Sequence, residues 1–467
     1  MRLMSAAPSP LDVDLLVIGY GRGGKTLAAR LGRLGRRVAL VEQSDRMYGG
    51  TCVNIGCVPT KALVHEAETR RGADDPRRWY TDAVGKVDAL TTRLRGINFA
   101  LLDTIDAVTV ITGRASFTDA HTVEISAGQD RMTVRAESIV IGTGSEPVIP
   151  DVAGLRDSSR LVTSTDLIAT DALPNRLAVL GGGYLGVEFA AIYRRFGATV
   201  TILEQGSALF GNEDDDIAAA ATGVLADEGI QIITGARLDK VRDTARETAV
   251  LSYADAAGQH ELEVDLILAA AGRRPATRDL ALEAAGITTD ARGAIIVDEH
   301  LRTSQPHVFA IGDVNGGPQF TYVSLDDSRI VADQLLGGGM RAVTDRAAMP
   351  RTAFMTPPLS TVGITERQAL DLGHRVLVAK KSVAQIVGMP RAKIVGDTRG
   401  VMKFVIDADT DLILGAALLS VDSQELINTV ALAIRHAVTA TQLRDAIYTH
   451  PSSTEAFNEV LDTIAPR

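Results

Sequence analysis

Cysteine is almost missing from this chain: 467 residues hold two, Cys52 and Cys57. A zinc ribbon needs four ligands in paired spacing, so that class is excluded. Aromatic residues make up only 4% of the chain, which leaves little for stacking on nucleobases. Excess positive charge is absent too. A formal charge of −10 argues against nucleic acid or an anionic membrane as the main partner. No apolar run approaches the ~18 residues that a membrane helix requires. Residues 1–10 lack the apolar stretch of a secretory signal and read as a loose extension. These absences point to the cytoplasm, where a disulfide is more often catalytic than structural. At 467 residues, 46% of them hydrophobic and 23% charged, the chain reads as a globular enzyme of about three domains.

What is present begins with the two thiols themselves. Both lie within Gly49-Gly50-Thr51-Cys52-Val53-Asn54-Ile55-Gly56-Cys57-Val58-Pro59-Thr60-Lys61. Residues five apart on a regular helix sit at or beyond the ~7 Å Cα reach of a disulfide. Cys52 is therefore expected in a turn before a helix or in a distorted first turn, with Cys57 where the helix begins. Gly56 gives the backbone latitude, and a helix N-terminus lowers a thiol pKa. A short, tight loop makes a bridge that opens readily. The plainer alternatives are two inert buried cysteines or half of a metal site. No clustered histidine pair completes four ligands, so no metal is expected.

The chain also contains an internal echo. The apolar strand 14–18 runs into Gly19-Tyr20-Gly21-Arg22-Gly23-Gly24, then a helix to about Arg36 and a strand ending at Glu42. Further on, the strand 177–180 runs into Gly181-Gly182-Gly183-Tyr184-Leu185-Gly186, a helix to about Phe196 and the strand 199–203 before Glu204. In both copies the acidic residue follows the first glycine by 23 positions. That is two βαβ dinucleotide units. Gly19 and Gly181 permit the tight turn, Gly21 and Gly183 admit a pyrophosphate, and Gly24 and Gly186 let helix and strand pack. Glu42 and Glu204 are placed to accept hydrogen bonds from a ribose.

Between the units, residues 76–103 read as helix, and 108–117, 122–126 and 131–141 as strands. After them, 266–271, 294–297 and 307–311 read as extended. From about 344 the pattern changes to strands (376–380, 401–406, 412–419) and helices (424–438, 453–464), a separate α+β domain. The fold class is α/β: two Rossmann-like dinucleotide-binding domains plus a C-terminal α+β domain.

Two dinucleotide units with a CX4C pair resemble the flavoprotein disulfide reductases, which include dihydrolipoamide dehydrogenase, glutathione reductase and mercuric reductase. Further motifs carry the likeness: Gly142-Thr143-Gly144-Ser145-Glu146-Pro147, Ala271-Gly272-Arg273, Ala310-Ile311-Gly312-Asp313, and His450-Pro451 with Glu455 five residues after the histidine. The resemblance covers residues 14–459. It implies an FAD domain in two parts (1–148 and 278–343), an NAD(P) domain (149–277) and a dimerisation domain (344–467). It places FAD on Gly19, Gly21, Gly24, Glu42, Gly50, Thr51, Lys61, Ala115, Thr143, Gly144 and Asp313. The nicotinamide falls to Gly181, Gly183, Tyr184, Gly186, Glu204 and Gly272. Lys61 and Glu188 are implied to pair beside the flavin, with Tyr184 covering it until nicotinamide displaces the ring. As an alternative, Tyr184 is merely a packed aromatic.

The resemblance also implies the mechanism. Cys57 is the charge-transfer thiol beside the flavin and Cys52 the thiol that attacks substrate. His450, oriented by Glu455, is the base, and it reaches across from the other subunit of a homodimer. For the nucleotide, no Lys or Arg occurs in 205–236 and the run Glu213 to Asp216 is acidic, so a 2′-phosphate would be repelled and NADH is expected. Arg194 and Arg195 are the reservation.

Within the family, Met47-Tyr48-Gly49-Gly50-Thr51-Cys52, residues 319–327, residues 354–360 and His450-Pro451-Ser452 are similar to a mercuric-reductase-like bacterial subfamily that protects against reactive chlorine species. That subfamily reduces hypothiocyanous acid and is linked to Cu(II) reduction. A small-molecule oxidant is therefore the expected partner, with dihydrolipoamide dehydrogenase the alternative. A flavin-bound redox sensor without turnover is the reading from another class.

Overall fold

Strand β1 (Leu11–Ile18) is buried on both faces, which is why it reads as an unbroken apolar run. Leu15 and Val17 face a cluster with Leu27, Leu31, Ile330 and Val331. Leu16 and Ile18 face another with Phe117, Ile125, Val134 and Leu280. In this computed structural model, which describes residues 10–70 and 75–466, β1 is the hub of a seven-stranded sheet. All but Pro10 of the extension read over 1–10 lies outside the described residues.

Helix α1 (Arg22–Arg33) and strand β2 (Val38–Glu42) complete the first glycine-loop unit. The short helix α2 (Gly50–Asn54), helix α3 (Cys57–Thr69) and the long helix α4 (Pro76–Asp103) follow. The expected strand 108–117 is in fact two, β3 (Val108–Thr112) and β4 (Arg114–Phe117). They part at Gly113, whose N–H donates to the Glu42 carbonyl at 2.8 Å. Strands β5 (Thr122–Ala127) and β6 (Asp130–Ile141) form a meander with β4. Parallel pairing runs β3-β2-β1-β6, with Val308–Ala310 beside β6.

Apart from the later part of α3 and the first turns of α4, these elements belong to one compact unit, drawn from Met1–Ala62, Val84–Val148 and Gly272–Asp345. The other comprises Leu63–Ala83, Ile149–Ala271 and Arg346–Arg467. The same winding recurs in the second unit. Gln231–Ile233, Thr199–Leu203, Arg176–Leu180, Leu266–Ala269 and Leu161–Val162 make a parallel five-stranded sheet in that order. A three-stranded antiparallel sheet, Arg237–Asp243, Ala249–Asp255 and Gly258–Val264, follows; it had no sequence counterpart above.

The C-terminal region is a six-stranded antiparallel sheet with helix Ser423–Arg435 on it and Phe404 packed edge-on against Phe457. Its last helix is Ala456–Leu461, shorter than the 453–464 expected. Residues 453–455 form a turn, in which the Ser453 hydroxyl bonds Asp422 at 2.7 Å instead of continuing a helix. The architecture is the α/β class expected, two Rossmann-like units and a C-terminal α+β region.

Candidate active site

The two glycine loops are built alike beyond their sequence. A Cβ on Gly24 would lie 2.7 Å from the Gly19 carbonyl oxygen, and one on Gly186 would lie 2.0 Å from that of Gly181. Only glycine lets each helix approach its strand this closely. The conserved-spacing acids close the loops: Glu42 accepts from Tyr20 N at 3.0 Å and Glu204 from Gly182 N at 2.6 Å. Both contacts span 22 residues and fall on the residue after the first glycine. Burial pushes the Glu42 carboxyl up, and the Tyr20 N–H opposes it. Gly21 and Gly183 are the N-caps, neither helix having a side-chain cap, so backbone N–H groups remain for an anion. That donor set fits a dinucleotide pyrophosphate in each unit.

The redox segment lies against the first loop. Gly50 has φ +73° and an added Cβ would meet Gly21 Cα at 2.6 Å. Cys52 sits on α2, a short helical turn ahead of the next helix, which is the first of the two placements expected. The chain breaks at Ile55 and Gly56, and Cys57 is the first residue of α3. Both cysteines are free thiols in this structure, Cys52 half-buried and Cys57 exposed. A hydrogen bond from the Cys52 thiol, with Thr321 and the Lys61 ammonium, holds the Cys57 thiol down to about 6 against burial. The same bond and burial push the Cys52 thiol up. Thr321 Oγ1 lies 3.4 Å from Cys57 Sγ. Sequence reasoning quoted Thr321 inside a motif but gave it no role.

Elsewhere in the first unit, Asp313 accepts from the Ser145 hydroxyl at 2.6 Å, and Arg273 Nε donates to the same hydroxyl at 2.8 Å. Thr143 Oγ1 donates to the Ala276 carbonyl at 2.7 Å, and the Gly144 carbonyl accepts from Ala276 N at 3.0 Å. Ala115 is buried on β4 opposite Ile125. Thr51 is exposed beside Cys52. The Gly272 carbonyl accepts from Val148 N at 3.0 Å.

In the second unit Tyr184 is half-buried at the start of the helix Tyr184–Phe196, and its hydroxyl donates to Glu213 at 3.5 Å. Glu188 is buried on that helix and accepts from Phe354 N at 3.0 Å. Glu455 holds His450: one oxygen lies 2.8 Å from Nδ1 and the other accepts from Ser452 N at 2.8 Å. The Ser452 N–H and the imidazole keep the Glu455 carboxyl below its usual range. His450 is 72% exposed, with Nε2 left to act.

The acidic run needs a correction. Asp214 and Asp216 do not form a free negative wall. Lys403 Nζ reaches Asp214 at 2.9 Å and Asp216 at 3.1 Å, and Lys380 reaches Asp216 at 2.6 Å. Asp214 also accepts from the backbone N–H groups of Glu366 and Arg367. Arg194 and Arg195, the reservation above, both engage Glu228. Arg195 pairs with Glu228 at 2.5 Å, and Arg194 Nε donates to the Glu228 carbonyl at 2.8 Å. Among the described residues no group of three or more His, Cys, Asp or Glu could hold a metal, and no helix is long and apolar enough to cross a membrane.

The family model for pyridine nucleotide-disulphide oxidoreductases matches residues 13–328, and that of their dimerisation domain matches 349–461. The chain belongs to this family. It is an oxidoreductase of the flavin- and nicotinamide-dependent disulfide reductase type, with the domain by which such chains form homodimers. Among relatives, the probable pyridine nucleotide-disulfide oxidoreductase RclA of Escherichia coli (strain K12) is 43% identical over 450 residues, covering 96% of this chain and 98% of that one. A mercuric reductase of Staphylococcus aureus is 34% identical, covering 93% of this chain and 79% of the relative. A dihydrolipoyl dehydrogenase of Geobacillus stearothermophilus is 30% identical, covering 97% and 96%. The solved Cu(II) complex of the HOCl-induced flavoprotein disulfide reductase RclA from Escherichia coli superposes with a TM-score of 0.91 at 42% identity, over 97% of this chain and 99% of that one. Fold and relatives thus agree with the expected mercuric-reductase-like branch.

Proposed function

We propose that this oxidoreductase passes electron pairs from NADH, through FAD, to Cys52 and Cys57 and on to hypothiocyanous acid. The substrate rests on one observation, the 43% identity over nearly the whole chain to RclA, whose solved structure is described as HOCl-induced. In this reading Gly19, Gly21, Gly24, Glu42, Gly50, Thr51, Lys61, Ala115, Thr143, Gly144 and Asp313 hold FAD. Gly181, Gly183, Tyr184, Gly186, Glu204 and Gly272 receive the nicotinamide. The flavin supplies the relay of electron pairs between nicotinamide and disulfide. NADH is favoured because the strand end after Glu204 offers no cation, and Glu228 occupies Arg194 and Arg195.

The thiols divide the work by their environments. Cys57 keeps its negative charge near neutral pH, held by Cys52, Thr321 and Lys61, and waits beside the flavin. Cys52 retains its proton and needs a base, which His450 of the other subunit supplies through Nε2 while Glu455 holds Nδ1. The Cys52 thiolate attacks the electrophilic sulfur, forming a sulfenyl thiocyanate and releasing hydroxide, which the displaced proton turns into water. Cys57 then attacks the Cys52 sulfur, closes the disulfide and expels thiocyanate. Two electrons from NADH reopen the bond, leaving one thiol and one thiolate. As the family resemblance implies, Lys61, Glu188 and Tyr184 would be the residues that face FAD, with Tyr184 giving way when nicotinamide arrives.

Cu(II) as a further electron acceptor is supported by the copper complex of the Escherichia coli relative. Purified enzyme given NADH should consume it on addition of hypothiocyanous acid, one NADH per oxidant. Rapid reduction of NAD⁺ by dihydrolipoamide, with no response to the oxidant, would favour the alternative carried by the 30% identity to dihydrolipoyl dehydrogenase.

A further inference from the structure

An aspartate at the head of a helix ordinarily has an extended backbone and turns its carboxylate back onto the first free N–H groups. Asp422 heads the helix Ser423–Arg435 and does neither. Its φ is +62°, in the left-handed region that favours glycine, and its side chain caps no N–H of the helix. Only its carbonyl serves the helix, accepting from Glu425 N at 2.9 Å and Leu426 N at 3.0 Å. The carboxylate goes elsewhere. Its Oδ2 accepts from the Ser453 hydroxyl at 2.7 Å and from Arg391 Nε at 3.2 Å. The left-handed backbone and the forgone cap each cost stability. What they secure is a contact with Ser453, 31 residues further on.

Ser453 is buried and lies in the turn between His450 and Glu455. The two arms of that turn are fastened to each other. Tyr448 packs edge-on against Phe457 with ring centroids 6.1 Å apart, and Asn458 Nδ2 donates to the Ala446 carbonyl at 3.0 Å. Within the turn, Glu455 holds both His450 Nδ1 and Ser452 N. The Ser453 hydroxyl instead leaves the turn and ties it to the head of a separate helix. We propose that Asp422 is a positioning residue for the base: through Ser453 it fixes the turn on which Glu455 aims His450. Its strained backbone and unused cap are kept for that contact.

The inference rests on His450 acting as the base, and the test separates the two. Asp422→Gly relieves the backbone and removes the tie. In flavin-bound enzyme it should lower kcat with hypothiocyanous acid by about tenfold or more, with stopped-flow reduction of flavin by NADH unchanged. Asp422→Asn keeps an acceptor for Ser453 and tolerates the left-handed backbone, so it should restore kcat. Ser453→Ala removes the donor with Asp422 untouched; it should repeat the loss and serves if the glycine variant does not fold. In a His450→Gln background, Asp422→Gly should cost nothing further, because the group it positions is gone. Undiminished kcat in Asp422→Gly or Ser453→Ala would overturn the proposal. So would a loss that persists in full in the His450→Gln background, which would make Asp422 a structural residue only. Wild-type turnover by His450→Gln alone would remove the base itself, and the proposal with it.

Discussion

Glu455 and His450 are joined by a 2.8 Å contact from carboxylate to Nδ1, and the second carboxylate oxygen is tied to Ser452 N at 2.8 Å. The carboxylate is thereby aimed, and the ring presents Nε2 as the free nitrogen. Removing the imidazole should cost turnover without touching reduction by nicotinamide. His450→Gln is expected to lower kcat with hypothiocyanous acid by about 10²–10⁴-fold, with Glu455→Gln falling between it and the wild type. Stopped-flow flavin reduction by NADH, compared with steady-state rates, checks both halves.

The Cys57 thiol should show its environment in a titration. It is held down to about 6 from a usual value of 9.0, so its ionised form is favoured by folding. That contribution is fully present above pH 9, the unfolded value, and is lost as the pH falls through about 6. The reduced enzyme is therefore expected to carry a thiolate absorbance that disappears near pH 6 and is missing from Cys57→Ser. Replacing Thr321 with Val should move that transition upwards.

Lys403 tests the C-terminal packing. Its side chain is 2% exposed and meets Glu366 at 2.7 Å, Asp214 at 2.9 Å and Asp216 at 3.1 Å. Burial works against the ammonium, but these carboxylates hold its pKa above the usual value. The stabilisation is thus complete below the unfolded pKa of 10.5 and is lost as pH rises through the folded one. Lys403→Met removes the buried cation shared by three acids, of which Asp216 keeps Lys380, and should cost about 3–5 kcal/mol in denaturant unfolding. An unchanged midpoint would show that the acids relax into solvent.

Nucleotide choice can be read from rates. With Arg195 held by Glu228, kcat/KM for NADH should exceed that for NADPH by at least about tenfold. Glu228→Ala should narrow the gap by freeing the guanidinium. A wild-type preference for NADPH would show that another cation receives the 2′-phosphate.

Local patterns carried most of the fold in the sequence. The glycine loops, their following acids and the helix Pro76–Asp103 depend on short-range spacing and were legible as such. Gly113 broke an apparently continuous strand because its N–H belongs to Glu42, 71 positions earlier in the chain. The acidic run was misread for a similar reason: its partner Lys403 is 189 residues from Asp214, and no window spans that distance. Cys57 at a helix start could be argued from Gly56 alone. The difference between the two thiols could not, since it needs Thr321, 264 residues away.

The account stands on Cys52 as the thiol that meets the oxidant. The direct measurement is NADH oxidation with hypothiocyanous acid by Cys52→Ser enzyme that still holds flavin. We expect flavin reduction by NADH to persist while steady-state turnover falls to background. Wild-type turnover in that variant would mean that electrons leave the protein without passing through Cys52, and would contradict the account.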